Sequence, residues 1–379
     1  MQQRVLIVGY RSGISDALNR LGIAHGVWHN KPLKTQRPFI CTVIQEFPRS
    51  REQINSIGER LQEQGPFTHV IAGSEAAVFP ASVLRRHLGA RRSKNTIVLR
   101  CHDKLLMKEF LQERKVPMTR FLPGDQAHDP EDILRRLGTP VVVKSRQESG
   151  GRRIVFAEDA TTLRRHNNRN RLLERYIDAP EASVESFVNN YRIQFESITQ
   201  YYVKRHVNVV PGQLTPVQQQ ALLALNRHVI AALGINWGIT HMEAYLAVDG
   251  VLFGEIALRP PGGYLMDLLS HSYGFSSWDA LVAMELDLAF TFPQHPQRYS
   301  AACIFHPGEG VLRRVDNWEQ ALARPSVYQS RLKLEPGALI EHRSGVGEDT
   351  GYLLLSADSG DQLLSEVDWT LANVRFVIA

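Results

Sequence analysis

The chain has 379 residues, enough for two or three domains, and its 43% apolar and 22% charged residues describe an ordinary globular protein. A net charge of +5 over that length does not argue for nucleic acid, and Cys41, Cys101 and Cys303 form neither a disulfide framework nor a C-x-x-C metal motif. No uncharged run reaches membrane-span length, and the apolar run at 5–8 is too short for a signal peptide, so a cytoplasmic protein is expected.

The opening stretch, RVLIVGYRSGISDALNRLGI, reads as strand, glycine turn and helix, the start of a doubly wound α/β unit. Gly9 and Gly13 lack G-x-G-x-x-G spacing, so close packing is favoured over phosphate binding. A second strand is predicted at 67–72, with a turn beginning at Gly73-Ser74-Glu75. Asp103 caps a helix carrying Leu105, Leu106, Phe110 and Leu111. Asp129-Pro130 opens another that Gly138 closes.

Pro140 leads into an apolar strand ending at Lys144, and a polar glycine loop follows over 145–153. A lysine at that place suits a polyphosphate, because backbone N–H groups approach the oxygens and the ammonium neutralises them. An ordinary hairpin with a solvated lysine fits the same residues. A strand is predicted at 154–156. The basic run 164–169 has no interleaved aromatics and reads as a solvated connection, not a nucleic-acid surface. Strand-like segments continue to about 210, and Thr215-Pro216-Val217-Gln218 is a capping box for a helix that Gly234 ends.

Residues 238–263, GITHMEAYLAVDGVLFGEIALRPPGG, read as a hairpin. Met242, Ala244, Leu246, Leu252, Ile256 and Leu258 form the apolar set; His241, Glu243, Tyr245, Phe253, Glu255 and Arg259 form the other. An Asp249-Gly250 turn would send the two glutamates to opposite faces, whereas a three-residue loop with left-handed Gly250 pairs Glu243 with Glu255. Only the second gives a consistent apolar face. Facing carboxylates, with Cβ atoms roughly 4.5–5.5 Å apart, repel unless a cation lies between them, and Mg²⁺ uses one or two carboxylates plus substrate phosphates. The plainer alternative is a solvated face whose glutamates pair with nearby cations. Two short helices and, from about 300, a strand-rich tail complete the chain, with turns at Pro307-Gly308 and Asp358-Ser359-Gly360.

In series, DKLLMKEFLQERKVP (103–117), TPVVVKSRQESGGRR (139–153), LLERYIDAPEASVES (172–186) and HMEAYLAVDGVLFGEIALRPPGG (241–263) resemble the ATP-grasp ligases, and among them the L-amino-acid (dipeptide) ligases most closely. The resemblance implies an α/β protein with an α+β core. An N-terminal Rossmann-like parallel-sheet domain (1–100) would precede an ATP-grasp fold (101–298, nucleotide-clamping lid about 117–186) and a small strand-rich C-terminal subdomain (299–379).

It also implies roles. Lys104 and Lys144 would contact ATP phosphates, with Ser149, Gly150, Gly151 and Arg152 folding over them as a mobile loop. Glu174, Tyr176 and Ile177 would read the adenine edge, and Glu181 would hold the ribose. Glu243 and Glu255 would bind Mg²⁺, two ions in the usual arrangement, with Mn²⁺ as an alternative. Arg259 would stabilise the acyl phosphate or tetrahedral intermediate, which with Lys144 and Glu255 makes the catalytic set. Gly262 and Gly263 would face the substrate carboxylate. His271, with His241 and Tyr273, is a candidate for the acceptor pocket. Two residues depart from the family pattern: Ala257 stands where E-x-N-x-R has asparagine, so water or a phosphate oxygen would take that coordination position, and Ser145 stands where proline is usual.

The implied reaction joins a small carboxylate and an amine through an acyl phosphate, releasing ADP and phosphate, with no nucleic-acid or membrane partner and with a homodimer expected. The alternatives are an ATP-grasp enzyme with another acceptor (carboxylation or thioester formation) and an ATP-binding regulatory protein without turnover.

Overall fold

The computed structural model describes residues 3–64, 66–90, 94–125, 129–148, 150–343, 345 and 347–379. A four-stranded parallel sheet opens the chain, in the order Thr42–Ile44, Ala24–His29, Arg4–Val8, His69–Ala72. Val5, Leu6, Ile7 and Val8 are all fully buried, as a strand covered on both faces requires. Helices Ser12–Arg20, Arg51–Glu63 and Glu75–His87 provide the cover. The predicted turn at Glu75 is therefore the first residue of a helix.

Both N-terminal glycines serve packing, as expected. Gly9 has φ +76° and lies under Ser74 and Ala77, while a Cβ on Gly13 would come within 2.3 Å of the Trp278 ring. Gly13→Ala should therefore destabilise the protein by about 1–3 kcal/mol, the usual cost of overpacking against a rigid ring. A denaturant midpoint equal to that of the parent would refute that contact.

The body of the protein is an eight-stranded sheet in the order Gly250–Ala257, Trp237–Ala247, Glu181–Asn189, Arg192–Val203, Val207–Val210, Tyr299–Phe305, Gly351–Ala357, Val327–Leu332. One face packs on helix Pro216–Leu233, whose Thr215 capping box and left-handed Gly234 both form as predicted. Helices Leu265–Tyr273 and Ser277–Glu285 pack with the N-terminal domain in another core. A separate four-stranded sheet, Phe121–Pro123, Arg171–Arg175, Val141–Ser145, Val155–Ala157, stands beside helices Pro130–Leu137 and Ala160–His166. Arg164, Arg165 and His166 thus end a helix and are not part of an irregular connection.

The tail contains one long helix, Gly360–Asn373, beside its strands, and the predicted turn at Ser359 is that helix's N-cap, accepting from Gln362 N–H. Its strands do not form an isolated sheet, because Tyr299–Phe305 pairs directly with Val207–Val210. No helix among the described residues is long and apolar enough to cross a membrane.

The hairpin brings Glu243 opposite Glu255, as the alternation predicts, but by another route. Ala247 pairs with Gly250, so the loop is only Val248-Asp249, and the register is restored by a bulge at Gly254. The bulge flips two side chains relative to the expectation. Phe253 turns into the core, fully buried opposite Ala244, and Leu252 joins Tyr245 on the glutamate face.

Candidate active site

The site forms where this hairpin, the start of helix Lys104–Gln112, the small sheet and the N-terminal domain meet. Lys104 Nζ lies 3.3 Å from Glu255 Oε2. Asp103, before it, caps Leu105 and Leu106 and accepts from Nε and Nη2 of Arg146, at 3.0 Å and 2.8 Å, which ties the glycine loop to the helix start. Neither Arg146 nor this tie was foreseen.

Behind Glu243 stands His241, whose Nδ1 donates to Glu185 Oε1 (2.7 Å) and Nε2 to Glu243 Oε1 (3.2 Å). Burial opposes the imidazolium, but these two carboxylates outweigh it and hold its pKa up at about 9. Burial likewise opposes charge on Glu243, and the hydrogen bond from His241, with the Lys144 and Lys104 charges, brings that carboxyl down to about 2. Glu185 is fully buried and also accepts from Ser183 and Thr199. His241 is thus committed to holding the two carboxylates, and Tyr273 is buried and donates to Ser197 in the core.

Lys144, at the end of its strand, reaches Glu174 Oε2 at 2.6 Å, and Lys108 reaches Glu174 Oε1 at 2.7 Å. Lys108 is 1% exposed. Burial disfavours charge on Glu174, yet the two ammonium groups bring its carboxyl down to about 2. Burial also opposes charge on Lys144, but the Glu174 carboxylate, with Tyr245 and Glu255, holds it well above its ordinary value. The Glu174 carboxylate therefore points inward, and its backbone is paired on both sides. Tyr176 beyond the strand is exposed, edge-on to Phe156, and Ile177 is half-buried. Glu181 pairs with Lys204. Gly150 and Gly151 have φ +73° and +71°, and Arg152 lies against Gly345; Ser149 lies outside the described residues.

Arg259 Nε donates to Glu75 Oε2 at 3.0 Å, and His102 Nδ1 lies 2.9 Å from Glu75 Oε1. Burial again opposes the charge on Glu75, but His102 and Arg259 bring its pKa to about 2. Gly262 follows the two prolines, Gly263 has φ +63°, and its carbonyl accepts from Asn208 Nδ2 at 2.9 Å. His271 stacks on Tyr328 with ring centroids 3.7 Å apart.

Three carboxyls near 2, Glu75, Glu174 and Glu243, set an acid limit. A depressed folded-state pKa adds stability that is fully present above the unfolded value near 4.5 and lost as pH falls to about 2. Thermal melts should fall steeply across that window, and less steeply in Glu75→Gln. Equal slopes would remove Glu75 from this account.

The ATP-grasp domain pattern matches residues 109–268, and the L-amino acid ligase C-terminal domain 2 pattern matches residues 303–379. The chain therefore carries an ATP-grasp domain followed by an L-amino acid ligase C-terminal domain, the make-up of a ligase that forms carbon–nitrogen bonds. Its C-terminal region matches the one found in the L-amino acid ligases. The L-arginine-specific L-amino acid ligase of Bacillus subtilis is 27% identical over 335 residues, 82% of this chain and 79% of the relative. A formate-dependent phosphoribosylglycinamide formyltransferase of Pyrococcus horikoshii is 22% identical over 47% of this chain and 45% of its own. Among solved structures, the L-amino acid ligase of Bacillus licheniformis superposes with TM-score 0.84 at 19% identity, covering 100% of this chain and 99% of its own. ATP and Mg²⁺ are what this family uses, and a neighbour of the same fold was crystallised with MgADP.

Proposed function

We propose that the protein joins a carboxylate to an amine with ATP as the activating substrate, through an acyl phosphate, and that the carboxylate belongs to an amino acid or another small acid. The observation that carries this is the facing pair Glu243 and Glu255, with Lys104 on one of them and Arg259 further along the same hairpin. Among the described residues no three His, Cys, Asp or Glu side chains cluster to hold an ion alone. Two hard carboxylates completed by nucleotide phosphates are a fitting donor set for Mg²⁺, and Ala257 offers no third donor. Mg²⁺ held by Glu243 and Glu255 would supply charge neutralisation at the phosphates.

The substrate carboxylate attacks the γ-phosphorus, ADP leaves, the amine attacks the acyl carbonyl, and phosphate departs. Lys104 and Lys144 hold phosphate oxygens, with Gly150, Gly151 and Arg152 above them. Tyr176 and Ile177 take the adenine edge, because Glu174 is spent on two lysines; Glu181 takes the ribose by releasing Lys204. Arg259, aimed by Glu75, offsets charge on the acyl phosphate and tetrahedral intermediate. Gly262 and Gly263 let the substrate carboxylate approach the backbone. On this reading residues 1–100, 101–298 and 299–379 are the three units, with 117–186 as the clamp over the nucleotide.

Mg²⁺-dependent ADP and phosphate release, measured against pairs of amino acids and small acids with mass spectrometry of the products, tests it. Release that needs both partners, with a product lighter by one water than their sum, supports ligation. Bicarbonate-dependent release would favour a carboxylating relative. ATP binding without release across the panel would favour a regulatory role, the reading that Ala257 supports.

A further inference from the structure

Arg11, in the turn after the first strand, lies close to Arg259, though the two come from different parts of the chain. Arg11 Nη2 donates to the carbonyl of Pro261 (3.3 Å), and Arg259 Nη1 donates to that of Pro260 (3.0 Å). Two guanidinium groups therefore lean on consecutive carbonyls of the segment that leads to Gly262 and Gly263. They are close enough to repel: the Arg259 charge, after burial, works against charge on Arg11. Arg259 is neutralised by Glu75. Among the described residues Arg11 closes no ion pair, and the carboxylate whose charge favours it is Asp267.

Asp267 lies on helix Leu265–Tyr273, in the first turn after the double glycine. Both charged groups are carried by one ring. The Arg11 guanidinium sits over Trp278, 5.1 Å from its centroid, and Trp278 also hydrogen-bonds Asp267. The ring itself is seated flush on Gly13. One turn further along the helix from Asp267, the Nε2 of His271 is buried with no hydrogen-bond partner among the described residues. A cation and an anion held side by side, without closing on each other, match the two charges that an α-amino acid carries on adjacent atoms.

We propose that Arg11 and Asp267 bind the zwitterionic end of an amino-acid acceptor, Arg11 taking its carboxylate and Asp267 its ammonium group. The proposal rests on the ligase reading above and assigns specificity-determining residues to its second substrate. The carboxylate held by Arg11 is the one that survives in the product, so the amine beside it faces the acyl phosphate near Arg259. Trp278 is the rigid backing that keeps the two charges apart.

The test uses the full-length enzyme, the twenty L-amino acids as acceptors, and the methyl esters of those that support ADP release. Esters keep the ammonium group and lose the anion. Arg11→Gln is expected to raise KM for the free acids by about 100-fold while changing KM for the esters by less than about twofold, with Arg11→Lys recovering part of the loss. Asp267→Asn is expected to weaken acids and esters alike. Melting temperature and affinity for a fluorescent ADP analogue should match those of the parent in every variant. Equal losses of acid and ester in Arg11→Gln, or no loss of either, overturn the carboxylate assignment. Unchanged KM values in Asp267→Asn overturn the ammonium assignment. If the parent enzyme releases no ADP with any acceptor, the ligase reading falls first and this pair falls with it.

Discussion

Glu255→Gln should lower turnover by about 10³-fold while the protein remains folded. The substitution keeps the shape and the ladder position opposite Glu243, so the sheet has no reason to move. It removes one of two hard anionic donors and replaces it with an amide, which holds Mg²⁺ poorly. Its ion pair with Lys104, 3.3 Å and partly open to solvent, contributes less than about 1 kcal/mol, so stability should hardly change. Initial rates of ADP release with saturating substrates, beside thermal melts, decide the matter. A near-normal rate in a folded variant would show that the facing carboxylates do not hold the metal.

The second large effect is expected on stability. Glu174→Gln leaves Lys108, 1% exposed, without its counter-ion, and Lys144 loses the same partner. Removing one member of a buried ion pair costs about 3–5 kcal/mol, because the remaining charge is stranded in a medium that cannot solvate it. Adding Lys108→Met to Glu174→Gln should recover much of that loss, since Lys144 is nearer solvent and methionine fills the buried volume. Denaturant melts of the single and double variants measure both terms. A cost below about 1 kcal/mol for Glu174→Gln would mean that water reaches Lys108 in solution.

The pairing of Glu243 with Glu255 was legible in the sequence because a strand face repeats every second residue, and the glutamates lie on the polar repeat. The bulge was not, because Gly254 has no side chain with which to break that repeat, so Phe253 and Leu252 were assigned to the wrong faces. Helix Arg51–Glu63 left a readable trace in Ile54, Ile57, Gly58 and Leu61, all buried at helical spacing, but its polar majority resembles a loop. Lys108 looks like any surface lysine on an amphipathic helix, and its partner lies 66 positions away, at Glu174. Glu75 and Arg259 meet across 184 positions, and nothing local in either stretch announces the other. The groups that were read correctly share one property: the motif that carries each is contiguous. Those that were missed owe their role to a contact that only folding creates.

The strand Val207–Val210 has a consequence for how this gene can be cut. It is fully paired only because Tyr299–Phe305 lies along its outer edge. A fragment ending near residue 298 would keep every residue assigned to nucleotide and metal, yet it would present a bare row of peptide groups on Val207, Asn208, Val209 and Val210. Such an edge recruits another copy of itself. Exchange of the C-terminal region between relatives, by evolution or by an engineer, therefore has to carry both sides of that seam, and an enzyme truncated there would be lost to self-association before its chemistry could be assayed.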